Sequence, residues 1–100
     1  MNGEIKGKAQ EYEEGKLIFD GEYLNGKRSK GIIKEYDSDG NILFEGEYIN
    51  GAINGKVKEY KEGKLIFEGE YLNGKRHLKG KEYNNRKLEF EGQYFNGQRY

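Results

Sequence analysis

Glu68 and Glu70 flank Gly69, and this acid, glycine, acid arrangement recurs along the chain. Two neighbouring carboxylates suggest a hard-cation site, but Ca²⁺ takes about six or more oxygens converging on one point. On a strand these acids share a face with lysines, so they read as a solvated, charge-paired stripe. The single histidine, His77, stands in Lys75-Arg76-His77-Leu78-Lys79. A general base needs an orienting carboxylate and a pocket, and a single-layer sheet supplies neither. The Asn-Gly-Lys stretches lack the strand-to-helix context of phosphate loops. No catalytic residue, metal or cofactor is expected.

Two sets of side chains remain as binding candidates. Lys27, Arg28 and Lys30, and again Lys75, Arg76 and Lys79, fall in stretches read as basic loops. Along one edge of a ribbon they would meet the phosphates of an acidic phospholipid. The intervening Gly51-Ala52-Ile53-Asn54-Gly55 carries no charge and breaks that row. The stronger set is aromatic: Tyr23, Tyr48, Tyr71 and Tyr94 in one column, with Tyr36 and Tyr60 in a second. Tyrosine on rigid strands offers large contact area at small entropic cost, as protein-binding surfaces do.

The elements that position these residues follow from a repeat of about 23 residues. The unit reads Leu65-Ile66-Phe67-Glu68-Gly69-Glu70-Tyr71-Leu72-Asn73-Gly74, with counterparts around Gly21, Gly46 and Gly92. Its phenylalanines are Phe19, Phe44, Phe67 and Phe90, and a second half-motif ends at Tyr12, Tyr36, Tyr60 and Tyr83. The glycines step by 25, 23 and 23 residues, which places one extra residue in Lys27-Arg28-Ser29-Lys30 and one in Asp37-Ser38-Asp39-Gly40.

Within each unit the apolar period is two, so positions 65, 67, 69 and 71 share a face and Ile66, Glu68 and Glu70 take the other. Tyr60-Lys61-Glu62-Gly63-Lys64 reads as a type I turn closed by a glycine bulge, which makes each unit a β-hairpin. That turn sets Lys56 across from Glu68 and Val57 across from Phe67. It likewise sets Lys8 against Asp20, Ala9 against Phe19, Lys81 against Glu89 and Lys79 against Glu91. Gly69 leaves bare backbone for the flanking rings to lean across. The fourth unit departs from the pattern at Asn84-Asn85-Arg86-Lys87, and Arg86 with Gln98-Arg99-Tyr100 reads as a cap.

Composition is consistent with this. The chain is 33% hydrophobic and 36% charged, a thin basis for a core, but nine tyrosines and five phenylalanines argue against disorder. A formal net charge of zero gives no bulk attraction to nucleic acid, which is not expected as a specific direct ligand. Cysteine is absent and there is no run of about 18 apolar residues, so a soluble cytoplasmic protein is the default.

The aromatic, acid, Gly, acid, aromatic pattern with a following Asn-Gly-Lys resembles the MORN (membrane occupation and recognition nexus) repeat. It is carried here by Phe19-Asp20-Gly21-Glu22-Tyr23 with Asn25-Gly26-Lys27, and by the stretches ending at Asn50, Asn73 and Asn96. It looks most like the bacterial variant, some members of which are described as antitoxin-like. Ile33 and Val57 stand where such units often carry a second glycine. The resemblance implies an all-β fold: four tandem β-hairpins in one elongated, twisted antiparallel sheet. A single repeat domain over 1–100 is expected, with units at about 5–26, 31–51, 55–74 and 78–97.

The function expected is a non-enzymatic protein-binding module, an adaptor or inhibitor that grips a partner protein or a second copy through its tyrosine face. An antitoxin, or a phage-encoded inhibitor of a host defence complex, fits that size. The competing readings are a phosphoinositide or acidic-membrane binder working through the basic stretches, and a self-assembling β-ribbon.

Overall fold

Residues 6–100 are described by a computed structural model. The expected unit boundary at 5 lies outside them. Nine strands follow one another in a single open antiparallel sheet whose spatial order is the chain order. They are β1 (Lys6–Glu13), β2 (Lys16–Leu24), β3 (Lys27–Tyr36), β4 (Ile42–Ile49), β5 (Ala52–Lys61), β6 (Lys64–Leu72), β7 (Lys75–Asn84), β8 (Lys87–Phe95) and β9 (Gln98–Arg99). The ribbon measures 53 × 32 × 14 Å, so its layer has no second layer against it and each face must manage its own exposure.

Two-residue turns make the meander. At Asn25-Gly26, Asn50-Gly51, Asn73-Gly74 and Asn96-Gly97 both residues have positive φ, the conformation a tight hairpin requires and Asn-Gly supplies most readily. The Glu-Gly turns do the same, with φ of 52° at Glu62 and 76° at Gly63. The expected type I turn is therefore replaced by a two-residue left-handed one, with Lys61 paired to Lys64. The bulge moves into the strands, where Ile66 is the extra residue between Glu59–Phe67 and Tyr60–Leu65.

This moves every hairpin register by two from the expectation. Lys56 faces Glu70 and Val57 faces Gly69. Lys8 faces Glu22 and Ala9 faces Gly21. Lys81 faces Glu91 and Lys79 faces Gln93. A shift of two preserves the faces, so the aromatics remain together and cross-strand ion pairs still form, Lys58 with Glu68 and Lys81 with Glu91.

The insertion at Asp37-Ser38-Asp39-Gly40 does lie in a turn. Asp37 Oδ1 accepts the backbone N–H groups of Asp39 and Asn41 at 2.9 and 2.8 Å. These bonds, that of Asn41 foremost, hold its carboxyl below the usual range. The other insertion lies within β3 and not in a connection, because Lys27 follows the same Asn-Gly turn as Lys75 does. There Gly31 faces Gly21 while Ile33 faces Gly46, so the central row of small residues steps by two positions across this one strand.

The core is a line of rings over glycines. Phe19 and Phe67 are fully buried, and Val57 and Tyr94 nearly so. The Phe67 ring leans over Gly69, where an added Cβ would stand 2.8 Å from the ring and 2.7 Å from both the Gly80 Cα and the Lys79 carbonyl oxygen. Phe19, Phe44 and Phe67 each also pack against a tyrosine of the next unit, with ring centroids 6.2, 5.7 and 5.4 Å apart for Phe19–Tyr48, Phe44–Tyr71 and Phe67–Tyr94. Burial therefore comes from the neighbouring unit, as a repeat array requires.

Candidate binding surfaces

Three strands combine to fix three of the four column tyrosines on the aromatic face. Tyr23 and Tyr71 donate their hydroxyls to Glu11 and Glu59 at 2.5 Å, and Tyr94 donates to Glu82. The same carboxylates receive a forked guanidinium: Arg28 on Glu11 at 2.7 and 2.6 Å, Arg76 on Glu59 at 3.1 Å through both nitrogens, and Arg99 on Glu82 at 2.9 and 3.0 Å. Each guanidinium lies over the phenylalanine of its unit, 4.9 Å from the Phe19 centroid, 4.1 Å from Phe67 and 4.2 Å from Phe90. Two-nitrogen pairing and a cation over a ring reinforce one another in this half-buried layer.

The electrostatics follow from the contacts. Glu11 is held at about 2, first by the Arg28 bond and then by Tyr23. Glu82 is likewise held at about 2, with Arg99 the leading cause. The Tyr94 hydroxyl is pushed up to about 12 by burial and then by its bond to Glu82. Burial raises Tyr71 as well, and the Glu11 bond raises Tyr23.

Tyr48 has none of this. Where the other units carry arginine, the second has Ile53, which packs against the core cluster. Without a guanidinium to offset desolvation, Glu35 stays exposed. Among the described residues the Tyr48 hydroxyl has no hydrogen-bond partner. Of the second column, Tyr36 donates to the Leu17 carbonyl at 3.0 Å and lies under Lys16, while Tyr60 is half-buried. The column expected to stay part exposed thus includes one nearly buried member, Tyr94.

The six cations do not lie in loops. Lys27, Arg28 and Lys30 belong to β3, and Lys75, Arg76 and Lys79 to β7. Arg28 and Arg76 are committed to the aromatic face, whereas Lys30 approaches Glu22 at 3.8 Å on the opposite face. His77 is also a strand residue, with its ring 6.0 Å from that of Phe95. Among the described residues no group of three or more His, Asp or Glu side chains is placed to hold a metal ion, and no helix is long and apolar enough to cross a membrane.

The opposite face holds a groove of about 1060 Å³ spanning β3 to β8, with Ile32 at its β3 end. Its floor is the backbone of the row that runs through Gly46, Val57, Gly69, Gly80 and Gly92, and a charged row stands on either side. The row toward the Glu-Gly turns is internally paired: Lys34–Glu45 at 3.5 Å, Lys58–Glu68 at 3.9 Å and Lys81–Glu91 at 3.8 Å. In the row toward the Asn-Gly turns, Lys56, Glu70 and Lys79 make no ion pair among the described residues. In the same row Lys30 approaches Glu22 at 3.8 Å, and Lys56 stands directly across from Glu70 in the β5–β6 ladder, whereas Lys79 lies where β7 carries extra residues between Gly69–Gly80 and Tyr71–Arg76.

Beyond that row, one position before the last three Asn-Gly turns, Ile49, Leu72 and Phe95 are 45%, 48% and 56% exposed, while Leu24 before the first is half-buried. Sequence reading missed this row because alternation assigns these positions to the polar face. It also missed Glu11, Glu59, Glu82 and Arg99 as partners of the tyrosines, although their spacing of 12 and 17 residues repeats three times. No family model, curated protein or solved structure matches the chain.

Proposed function

We propose that this protein is a non-enzymatic protein-binding module built from MORN-like hairpins, an adaptor or inhibitor acting in the cytoplasm. One observation carries the reading: a rigid single-layer sheet presents exposed apolar side chains, Ile49, Leu72 and Phe95, in a regular row beside a groove. Apolar side chains that are evenly spaced on a fixed scaffold suit a partner with low ordering cost. The tyrosines contribute in a different way from a gripping surface. Tyr23, Tyr71 and Tyr94 hold the sheet together through their carboxylate and guanidinium partners, which leaves Tyr48 as the aromatic-face residue with an uncommitted hydroxyl.

The test is recovery of a partner from nuclease-treated lysate of the source or host cell, quantified by mass spectrometry for wild type, Leu72→Asp and Tyr48→Ala. Neither change touches the ionic triads, but Tyr48→Ala also removes the ring that packs on buried Phe19, so recovery is compared only for variants whose circular dichroism spectrum and urea midpoint show them folded. A protein recovered stoichiometrically by wild type and lost with Leu72→Asp supports the reading. Recovery lost only with Tyr48→Ala returns the contact to the aromatic face. Recovery unchanged by both substitutions, or no protein at all, refutes it.

A further inference from the structure

We infer that the second unit receives an arginine side chain of a partner protein, on the aromatic face at Glu35, Phe44 and Tyr48. The inference rests on the protein-binding reading but not on the apolar row, which lies on the opposite face. The sheet itself shows how it holds a guanidinium. In the first, third and fourth units an arginine forks onto a glutamate, Arg28 on Glu11, Arg76 on Glu59 and Arg99 on Glu82. Each also covers a phenylalanine, with 4.9, 4.1 and 4.2 Å to the centroids of Phe19, Phe67 and Phe90. One register builds all three copies. The glutamate stands across from the phenylalanine, and the arginine across from the tyrosine that bonds that glutamate. In the second unit Glu35 stands across from Phe44, and Tyr48 across from position 53, in the same way. Position 53 is isoleucine, so the carboxylate, ring and hydroxyl are kept and the guanidinium is missing.

The groups left behind are unsatisfied. Among the described residues Glu35 is exposed and makes no ion pair, the Tyr48 hydroxyl has no hydrogen-bond partner, and no cation lies over Phe44. Burial marks the gap. Phe19 and Phe67, under their guanidinium groups, are fully buried, whereas Phe44 is only partly buried although strands flank it on both sides and Tyr71 packs on it at 5.7 Å. Phe90 is partly exposed too, but only the two residues of β9 lie beyond it. Ile53 packs against the core cluster and carries no group that can donate to Glu35. The neighbouring cation does not fill the gap either. Arg76 reaches the next unit's Glu82 at 3.9 Å while Arg99 forks onto the same carboxylate, so this sheet already holds two guanidinium groups around one glutamate. Arg28, the counterpart of Arg76, makes no ion pair with Glu35 among the described residues. A carboxylate, a ring face and a hydroxyl select a guanidinium over an ammonium, which cannot make the planar two-nitrogen fork. In the intact copies that group is presented by a neighbouring strand, and a side chain carried on a polypeptide reproduces this where free arginine does not.

The experiment titrates the isotope-labelled full chain with N-acetyl-arginine amide and follows the NMR signals of Glu35, Phe44 and Tyr48. Saturable shifts confined to the second unit are expected, with N-acetyl-lysine amide binding about fivefold or more weakly. Glu35→Gln changes an exposed position and no packing, and is expected to weaken binding about fivefold or more. Ile53→Arg, once circular dichroism shows it folded, is expected to abolish binding because it fills the site from within the chain. No saturable shift in the wild type, equal binding of the lysine amide, or equal binding by Glu35→Gln overturns the guanidinium site. Free arginine binding about tenfold or more tightly than the blocked amide overturns the polypeptide source and makes the ligand a small guanidinium compound. The recovery experiment decides the protein-binding reading separately, since a partner lost with Leu72→Asp upholds it even where the blocked arginine does not bind.

Discussion

Replacing Glu82 with Gln removes one charge and almost no volume from the third ionic triad. In the wild type this carboxylate takes the Arg99 fork and the Tyr94 hydroxyl, and is held at about 2 against an ordinary 4.5. At about 1.4 kcal/mol for each tenfold in acidity, full retention of that difference would correspond to about 3 kcal/mol. The side chain is 21% exposed, and solvent screening brings the expected loss at pH 7 to about 1.5 kcal/mol. The folded pKa is depressed, so the stabilisation is complete above pH 4.5 and is lost as pH falls through 2. Urea unfolding followed by circular dichroism at pH 7, 5, 3 and 2 measures it. The variant is expected to be less stable by about 1.5 kcal/mol at pH 7, and most of the gap should close by pH 2, where wild-type Glu82 is itself about half protonated. A gap under about 0.3 kcal/mol at pH 7, or one that does not change with pH, refutes the assignment of the triad as an ionic clamp.

Three further outcomes follow from the same geometry. Gly69→Val should lower stability by about 3 kcal/mol or more in a thermal melt, because the new Cβ meets the Gly80 Cα and the Lys79 carbonyl, backbone atoms that cannot rotate away. Tyr71→Phe should cost about 1–1.5 kcal/mol in urea through loss of the bond to Glu59, whereas Tyr48→Phe should change stability by less than about 0.3 kcal/mol; equal effects would contradict the broken second triad. Arg86 holds φ at 67° in the last Asn-Arg turn, so Arg86→Gly should raise stability by about 0.5–1 kcal/mol, measured by the same urea titration.

The hairpins were legible in the residue pattern alone. Asn-Gly pairs at fixed intervals demand tight left-handed turns, and period-two patterning between them places Phe19, Phe44, Phe67 and Phe90 on one face whatever the exact register. Exact register was not legible there, because a type I turn with its bulge and a two-residue turn with a bulge further along the strand use the same residues and differ by two positions. Which tyrosines are committed was not legible either. Glu59, Tyr71 and Arg76 come from three strands and meet only because cross-strand pairing places β5, β6 and β7 side by side, a relation that local spacing suggests but cannot enforce. The substitution of Ile53 for the arginine of the other units was visible in the sequence. Its consequence, an uncommitted Tyr48 hydroxyl, depends on what stands across the sheet. In the same way, alternation alone gives Lys56, Glu70 and Lys79 the same character as Lys58, Glu68 and Lys81. Tertiary structure separates Lys79, where extra residues in β7 interrupt pairing with β6, from Lys58, Glu68 and Lys81, which regular pairing brings into ion pairs.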